Sequence, residues 1–470
     1  MVEDVVIGSG PTAWAAVEGI LSRGGRPIVI DFGSNPNLPS PSIKGTSALA
    51  LKGDDAKARL FSYPESMVVS EDGGQLPLSS ARGGLSRIWG SGILVRDGNE
   101  LGLPHQIVSE LTVSSRMLLD LMPSTGGNDE ISQRFELPRT DGIAHHSNRV
   151  ERIIREAKVD VSDVLIGSPR LSVNIVSDSC TRCGMCLQGC PASLFFSSDE
   201  KLGQLAAEDK IQFVQGPVEK ISLNGGLVEV VLPIGNLIAR RVFLAAGPIA
   251  TPALLQKSGL AASRIRVQDS AVFYSVALNL GQAVGHEGEF TAAQMSLYSA
   301  RAGDEDFQLS VYESSSDYSQ RLRSALPKFL SRVQIPKKLI DRLNPVIGFV
   351  NSSESGYLEL IFDGSATRVS RTSNRASRPA AIKAMRRARN KLQPTDLHFL
   401  PQAVVIPKVG SGYHSGSGIP MGGEGLTFES SLRAAPQVFV VDASALPFIP
   451  AGSHTFLAMS NAYRVAGKQP

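Results

Sequence analysis

The stretch that decides the fold is V-V-I-G-S-G-P-T-A, residues 5–13. Its apolar residues favour a β-strand, and the apolar spacing after the glycines predicts a helix that ends near Gly24. A second apolar run, residues 27–30, ends at Asp31. This order of strand, glycine turn, helix, strand and acid is the dinucleotide-binding fingerprint G-x-G-x-x-G/A in the context that it requires.

The residue types at this turn suit a dinucleotide for separate physical reasons. Gly8 allows the tight turn, and Gly10 lets the backbone approach the pyrophosphate. Ala13 keeps the helix close to the strand, and Asp31 would accept hydrogen bonds from the adenosine ribose. The helix N-terminus adds partial positive charge for the phosphates. We therefore predict a dinucleotide site that contains Gly8, Gly10, Pro11, Thr12, Ala13 and Asp31.

A second motif holds every cysteine of the chain. It reads C-T-R-C-G-M-C-L-Q-G-C-P, residues 180–191. The spacing C-x2-C-x2-C-x3-C-P is that of ferredoxin iron–sulfur loops, and thiolates bind iron–sulfur clusters or zinc rather than hard cations. The motif predicts a [4Fe–4S] cluster whose ligands are Cys180, Cys183, Cys186 and Cys190.

Other interpretations of the cysteines stay open. In two-cluster ferredoxins the fourth cysteine of this run ligates the other cluster. No cysteine remains here for a second cluster, so either all four thiolates hold one cluster or Cys190 is spare. Structural zinc sites usually divide their cysteines into two separated pairs. Two disulfides are a further alternative, although four cysteines in 470 residues do not resemble a disulfide scaffold.

Composition limits the function classes. A chain of 470 residues is expected to form two or three domains. Its hydrophobic content of 42% and charged content of 19% are typical of soluble globular proteins. A net charge of +3 gives no reason to predict nucleic-acid binding. We find no signal peptide and no apolar run of transmembrane length, and with the cysteine motif this predicts a cytoplasmic protein.

A glycine-dense stretch, A-R-G-G-L-S-R-I-W-G-S-G, covers residues 81–92. Such a turn suits a backbone that lies against a flat ring system, with the tryptophan as a wall. A turn around a core tryptophan explains the same residues equally well. The candidate cofactor contacts in this stretch are Gly83, Gly84, Ser86 and Trp89.

The middle of the chain mixes helices and strands. Apolar spacing predicts helices over residues 106–121, 146–157 and 200–207. Alternating residues predict a three-stranded meander over 218–243, followed by a buried strand that ends at Gly247. The stretch from Arg368 to Lys391 carries many cations and no acid. It is either a solvated helix face or a surface for an anionic substrate, an acidic electron carrier or anionic lipid.

Two histidines near the C-terminus have an unusual context. His414 lies in a turn rich in glycine and serine, and His454 comes directly before an apolar helix. The positive end of that helix is expected to lower the pKa of His454 and keep the imidazole neutral, as a general base requires.

Taken together, these motifs resemble the glucose–methanol–choline (GMC) family of flavin oxidoreductases. The resemblance covers the fingerprint, the Gly-Gly-Leu-Ser turn at residues 83–86, residues 244–255 and nearly everything after Tyr413. NAD and FAD share the fingerprint, and the resemblance implies FAD. It further implies cofactor contacts at Val218, Ala246, Gly247, Asp442, Ala443 and Thr455.

The same resemblance implies that His414 and His454 form the active-site pair. Many GMC members carry asparagine at the second position, so which imidazole is the base stays open. The implied fold is an α/β, Rossmann-like FAD-binding domain plus an α+β substrate domain with an antiparallel sheet, with the ferredoxin-like cysteine loop inserted. We assign residues 1–99, 171–260 and 401–470 to the first domain, and residues 100–170 and 261–400 to the second.

The predicted function is an FAD-dependent dehydrogenase that oxidises a CH–OH group, preferably of a sugar-like or polyol substrate. Electrons would leave through the [4Fe–4S] cluster to an external acceptor, such as a ferredoxin-like protein or a quinone, rather than to O2. One alternative is the reverse reaction, in which the protein is a reductase that receives electrons from a ferredoxin through the cluster. Another is a flavoprotein whose four-cysteine site is purely structural. The sequence does not indicate an oligomeric state.

Overall fold

The computed structural model describes residues 1–33, 63–137, 140–143, 148–159, 161, 163–176, 180–184, 186, 190–281, 290–303, 305–313 and 340–469. Four positions of the cysteine motif, residue 185 and residues 187–189, lie outside the described residues. So do the first two residues of the helix that the sequence predicts over 146–157. None of the described helices is long and apolar enough to cross a bilayer.

Most predicted elements are present with small shifts at their ends. The strands are β1 (Val2–Ile7), β2 (Ile28–Asp31), β3 (Val68–Ser70), β4 (Val164–Gly167), β5 (Gln212–Gln215), β6 (Lys220–Asn224), β7 (Leu227–Val231), β8 (Leu237–Leu244), β9 (Arg264–Asp269), β10 (Val272–Asn279), β11 (Met295–Ser299), β12 (Phe307–Val311), β13 (Leu343–Val350), β14 (Tyr357–Phe362), β15 (Thr367–Thr372), β16 (Leu397–Phe399), β17 (Ser415–Gly416), β18 (Ser431–Leu432) and β19 (Ala435–Val440). The helices are α1 (Pro11–Ser22), α2 (His105–Leu121), α3 (Asn148–Glu156), α4 (Ser198–Ala207), α5 (Ala250–Lys257), α6 (Ser377–Lys391) and α7 (Thr455–Lys468).

One sheet, here called the parallel sheet, carries the fingerprint strand at its centre. Its order is β18–β19–β8–β1–β2–β5, and neighbours from β19 to β5 run parallel. Both faces are covered, which explains why β1 ends in a continuous run of buried apolar residues, Val5 to Ile7, rather than an alternating pattern.

The meander prediction is confirmed with one correction. β6, β7 and β8 form an antiparallel meander, as the alternating pattern indicated. Its third strand and the buried strand predicted after it are one strand, β8. The first part of β8 pairs with β7 at residues 237–239. From Ala239 onwards β8 pairs with β1, and from Val242 also with β19, inside the parallel sheet. A single strand therefore leads from the hairpin to the turn at Gly247.

Helices α1 and α7 pack closely on one face of the parallel sheet. A Cβ built on Gly19 of α1 would lie 2.6 Å from the carbonyl oxygen of Tyr463, so only glycine permits this approach. Arg23, just after α1, donates from Nε to the carbonyl of Ala466 at 2.9 Å. The fingerprint helix is thus held by the helix that follows His454.

A second sheet, here called the cavity sheet, has the order β16–β10–β13–β12–β11–β4 and is antiparallel. Apolar residues of one face, such as Phe273 and Leu309, form a core with α3 and α6, to which α6 contributes Ala381 and Met385. The opposite face looks towards the carboxyl ends of the parallel strands.

A third sheet, here called the bridging sheet, has the order β17–β9–β14–β15–β3. The sequence predicts one antiparallel sheet over residues 261–400, but the structure divides these strands between two sheets. β9 belongs to the bridging sheet and β10 to the cavity sheet, and only Ser270 and Ala271 separate them. The edge strand β17 comes from the loop that follows His414.

The cations of the basic stretch are largely paired with acids from other segments. The ion pairs are Arg368–Asp363, Arg371–Asp72, Lys383–Glu305, Arg387–Asp163 and Lys391–Glu130. This pairing favours the solvated-face interpretation over a free docking surface, because neighbouring carboxylates already compensate the charge of these cations.

Candidate active site

A cavity of about 480 Å³ lies between the carboxyl ends of β1, β8 and β19 and the open face of the cavity sheet. Both candidate histidines and most of the sequence-predicted cofactor residues line it. Two predicted residues, Ala13 and Gly83, do not. The predicted residues in the lining are Gly8, Gly10, Pro11, Thr12, Asp31, Gly84, Ser86, Trp89, Val218, Ala246, Gly247, Asp442, Ala443, Thr455, His414 and His454.

The two fingerprint glycines serve different purposes. Gly8 has a φ of +114°, and a Cβ there would lie 2.4 Å from the carbonyl oxygen of Ala245, so this glycine permits strand packing. Gly10 has an extended conformation that any residue adopts, and a Cβ there would meet no atom within 4 Å. The space beside Gly10 therefore opens into the cavity at the N-terminus of α1, which fits a bound pyrophosphate.

Two hydrogen bonds fix the position of the Asp31 carboxylate. It accepts hydrogen bonds from the Ser9 hydroxyl at 2.5 Å and from the backbone N–H of Gly33 at 2.8 Å. Burial raises its pKa, and these two hydrogen bonds act in the opposite direction. The amide of Gly83 donates to the same Ser9 hydroxyl at 2.8 Å. Gly83 therefore does not line the cavity. Its amide instead binds the Ser9 hydroxyl that donates to Asp31.

The glycine-dense turn forms a short 3₁₀ helix, Gly84–Arg87, followed by the tryptophan. Ser86 donates to the carbonyl of Gly83 at 2.7 Å, which closes the turn. Trp89 donates from its indole to the carbonyl of Phe196 at 2.9 Å while part of the ring lines the cavity. The tryptophan therefore both packs against a core residue and forms a wall of the cavity.

Asp442 joins the ends of two parallel strands. It is 3% exposed and accepts from the backbone N–H groups of Gly247 and Ser444, each at 2.9 Å, and from the hydroxyl of Thr251 at 2.5 Å. Burial raises the pKa of Asp442, whereas these donors stabilise the carboxylate. The arrangement places Ala443 in the cavity wall.

His414 and His454 meet at the other end of the cavity. Their ring centroids are 5.2 Å apart and their planes are nearly perpendicular, at 85°. His414 stacks on Phe349 at 4.1 Å. His454 is 3% exposed, and its Nδ1 lies 3.4 Å from the carbonyl oxygen of Gly452. The tertiary fold thus brings together the two imidazoles that the sequence pairs only by resemblance.

Both imidazoles are neutral at pH 7. Burial is the largest cause that lowers the pKa of His454, to about 4, and the Arg96 guanidinium acts in the same direction. The carbonyl of Gly452 partly opposes this effect. The pKa of His414 also lies well below 6.5, because of burial, His454 and Arg96. The sequence predicts the low pKa of His454 from the following helix, but burial and Arg96 are the causes in the structure.

Sequence reasoning missed Arg96, which positions the turn before His454. This buried guanidinium donates to the carbonyls of Ala451 and Ser453, and it lies 3.7 Å from the carboxylates of Glu100 and Asp306. Glu100 is close in sequence, but the carbonyls of Ala451 and Ser453 and the carboxylate of Asp306 come from distant segments, so the local sequence does not reveal the role of Arg96.

Sequence reasoning also missed Asp269 and Ser270, which fix the loop of His414. Asp269 accepts from the amide of Gly410 at 3.0 Å and the hydroxyl of Ser415 at 2.8 Å, and burial raises its pKa to about 6. The Ser270 amide donates to the carbonyl of His414 at 2.8 Å. These contacts hold the histidine from the junction between the bridging and cavity sheets.

The cysteine loop has a donor set whose chemistry suits iron–sulfur binding. The backbone N–H groups of Thr291 and Ala292 hydrogen-bond to the thiol of Cys186, and those of Ala192 and Leu194 to Cys190. Burial raises the pKa of both thiols, and these amides oppose that effect. Amides directed at sulfur are a feature by which proteins tune iron–sulfur clusters.

The side-chain placement does not support the predicted cluster. All four cysteines are among the described residues and carry free thiols. Within the described part of the chain, no group of three or more His, Cys, Asp or Glu side chains is arranged to hold a metal ion. The [4Fe–4S] assignment therefore stays a prediction that rests on the cysteine spacing.

Comparison with solved structures shows a shared fold. No family description matches the sequence, and no curated protein matches it. Among solved structures, a pyridoxine 4-oxidase from Mesorbium loti has a similar fold, with a TM-score of 0.63 over 99% of this chain and 98% of that one. The two sequences are 14% identical, so the similarity shows a shared fold.

The different surroundings of the two glycines give a test of the dinucleotide site. Gly10→Val is expected to lower the FAD content of the purified protein about tenfold or more, because its methyl groups would fill the space beside α1. Its melting temperature without cofactor should equal that of the cofactor-free wild type. Gly8→Val should instead unfold the protein, through the contact with Ala245. A Gly10→Val protein with normal FAD content would contradict the assignment.

Proposed function

We propose that this chain is an FAD-dependent oxidoreductase that oxidises a CH–OH group to a carbonyl. The observation that carries the proposal is the pair of neutral imidazoles, 5.2 Å apart, in the same cavity as the glycine turn. The resemblance of the motifs to the GMC family supports it. A fold shared with an enzyme named for the oxidation of pyridoxine, which bears CH–OH groups, supports it as well.

Residues of the chain fit FAD at both ends of the cavity. The space beside Gly10 and the positive end of α1 would receive the pyrophosphate, and Asp31 would receive the ribose. Asp442 and Thr455 line the part that leads to the histidines. When bound, FAD supplies the two-electron acceptor for the hydride of the alcohol.

The two histidines would handle the proton of the alcohol. A neutral imidazole accepts the hydroxyl proton as the C–H bond breaks and the carbonyl forms, and the second imidazole hydrogen-bonds to the same oxygen and orients it. Both rings are in the neutral form that this role requires, since their pKa values lie below 6.5. Burial also excludes water from the reacting centre.

Single-turnover reduction of the bound flavin by substrate under anaerobic conditions tests this assignment. His454→Ala and His414→Ala should each retain FAD but reduce it about 10² to 10⁴ times more slowly, the usual contribution of general acid–base catalysis. The larger loss identifies the base. His398→Ala is the control, since His398 lies on β16 outside the cavity lining. Wild-type rates in both cavity variants would refute the proposal.

The low pKa values predict an unusual pH dependence. Protonation inactivates a base, so the rate of flavin reduction should rise through about pH 4 and then stay level to about pH 8. A histidine with an ordinary pKa would give a rise near pH 6.5. Asp269, whose pKa is about 6, also titrates near the site, and Asp269→Asn removes its contribution. A rise near pH 6.5 that persists in Asp269→Asn would contradict the neutral pair.

We also propose, on the cysteine spacing, that the enzyme is a dehydrogenase with a [4Fe–4S] cluster. Its electron acceptor would be an external ferredoxin-like protein or a quinone. The amides on Cys186 and Cys190 favour this proposal, and Ala293, next to one of those amides, lines the cavity. The reverse reaction and a purely structural cysteine site are the rivals, and an oxidase that uses O2 is a third, since the structural neighbour is named as an oxidase.

Iron, sulfide, zinc and flavin content of anaerobically purified protein decides between these cysteine sites. About four iron and four sulfide per FAD, with an EPR signal after dithionite, are expected, and Cys186→Ser should lose both. One zinc and no signal would make the loop a structural clip. The absence of any metal, with rapid O2 consumption during turnover, would favour the oxidase and leave the CH–OH chemistry intact.

A further inference from the structure

The open face of the cavity sheet forms the wall on which a substrate would lie. Strand pairing aligns its side chains in rows across β10, β13, β12 and β11. The row farther from the histidines consists of Tyr274, Ile347, Ser310 and Ser296, which are paired in that order. All four line the cavity.

The second row lies beside the two imidazoles. It consists of Val272, Phe349, Gln308 and Tyr298, again paired in that order, and all four line the cavity. Phe349 is the ring on which His414 stacks. The Oε1 of Gln308 accepts from the backbone N–H of Ser453 at 2.9 Å, next to His454. This row therefore borders the reacting centre.

In both rows, one pair of strands carries different types of side chain from the other pair. On β10 and β13 they present apolar and aromatic side chains, and on β12 and β11 they present hydroxyl and amide groups. None of these side chains carries a charge at neutral pH, and burial raises the pKa of Tyr298 to about 12. Gln308 donates to the hydroxyl of Ser310 at 3.3 Å, which links the rows.

The arginine of the described cavity lining is already neutralised. Arg170 lines the cavity, but its guanidinium donates twice to the carboxylate of Asp129, at 2.9 Å each. His414 and His454 are neutral. An anionic group on a substrate would therefore lose its hydration here without gaining an unpaired cation from the described lining.

The basic stretch does not change this conclusion, because α6 lies on the other face of the cavity sheet. Ala381 and Met385 of α6 pack against the core that contains Phe273 of β10. The sheet itself separates the cations of α6 from the cavity. The cations of α6 therefore cannot hold a phosphate or nucleotide group of a substrate bound at the histidines. Arg368 and Arg371, which precede α6, pair with Asp363 and Asp72 instead.

We infer that the substrate is an uncharged, ring-bearing alcohol with further hydroxyl groups, and that the cavity rejects anionic relatives of the same alcohol. The inference rests on the proposed function. The ring lies against the apolar part of the wall, at Tyr274 and Phe349, and the additional hydroxyls bind to Ser310, Ser296 and Tyr298.

Matched pairs of alcohols that differ in one anionic group test the inference on the FAD-loaded protein. Suitable pairs are glucose and glucose 6-phosphate, pyridoxine and pyridoxine 5′-phosphate, and benzyl alcohol and 4-(hydroxymethyl)benzoate. The kcat/KM for flavin reduction should be at least about 100-fold lower for each anionic member, because its charge is buried without a partner. Equilibrium binding to FAD-loaded His454→Ala, read from flavin absorbance and melting temperature, should rank the pairs identically.

Substitutions in the wall test the roles of its polar and apolar parts separately. Tyr298→Phe and Ser310→Ala should each lower kcat/KM for the polyhydroxylated ring about tenfold relative to kcat/KM for benzyl alcohol, because each removes one hydrogen bond that only the polyhydroxylated ring makes. Ser310→Lys should raise the relative kcat/KM of the phosphorylated members. Tyr357→Phe is the matched control, since Tyr357 lies on β14, outside the cavity lining, and should not change the ratios.

The outcomes distinguish the inference from the proposed function. If anionic members react or bind as well as their partners, the inference is wrong and the oxidation of CH–OH groups stands. If no alcohol reduces the flavin, the proposed function fails, and binding to the protein still decides whether the cavity prefers uncharged rings. Equal binding within every pair would refute the inference in that case too.

Discussion

The candidate active site depends on a short junction between two sheets. Asp269 ends a strand of the bridging sheet, and Ser270 leads into the cavity sheet. Asp269 binds the loop on either side of His414, and the Ser270 amide binds the carbonyl of that histidine. The Ser270 hydroxyl also accepts from Gly452, at 3.4 Å, two residues before His454. Two distant loops therefore share one anchor, and buried hydrogen bonds of this kind hold a single geometry because breaking them leaves unsatisfied groups.

Electrostatics reinforce this geometry. Arg96 is a buried cation beside two imidazoles, and the nearby carboxylates of Glu100 and Asp306 compensate its charge. A proton on either imidazole would meet repulsion from the guanidinium and a loss of hydration. The site therefore retains unprotonated nitrogens in an environment from which water is largely excluded. An alcohol, which is a weak acid, needs such an acceptor when its hydride departs.

Local patterns predicted much of the fold, and partners distant in sequence decided the rest. The turn at Gly8 and Gly10 could be predicted because strand, turn and helix are contiguous, and the meander because its strands alternate. Asp269 and Arg96 could not be found, since the contacts that fix the histidine loops, Asp269 to Ser415 and Arg96 to Ala451, join residues far apart in the chain, and no local spacing encodes them. For the same reason, the pairing of the two histidines was available only from a family resemblance.

The packing of α1 against α7 has a consequence for the order of folding. The fingerprint turn is synthesised well before β19, Asp442 and α7, which lie about 400 residues further along the chain. Contacts of such large sequence separation form late. The dinucleotide cavity stays incomplete on the ribosome until this late segment has docked. A ligand that binds only the folded state also stabilises only that state. A ligand of this cavity would thus stabilise chains in which α7 has docked over chains in which it has not, and the latter would stay exposed to proteolysis.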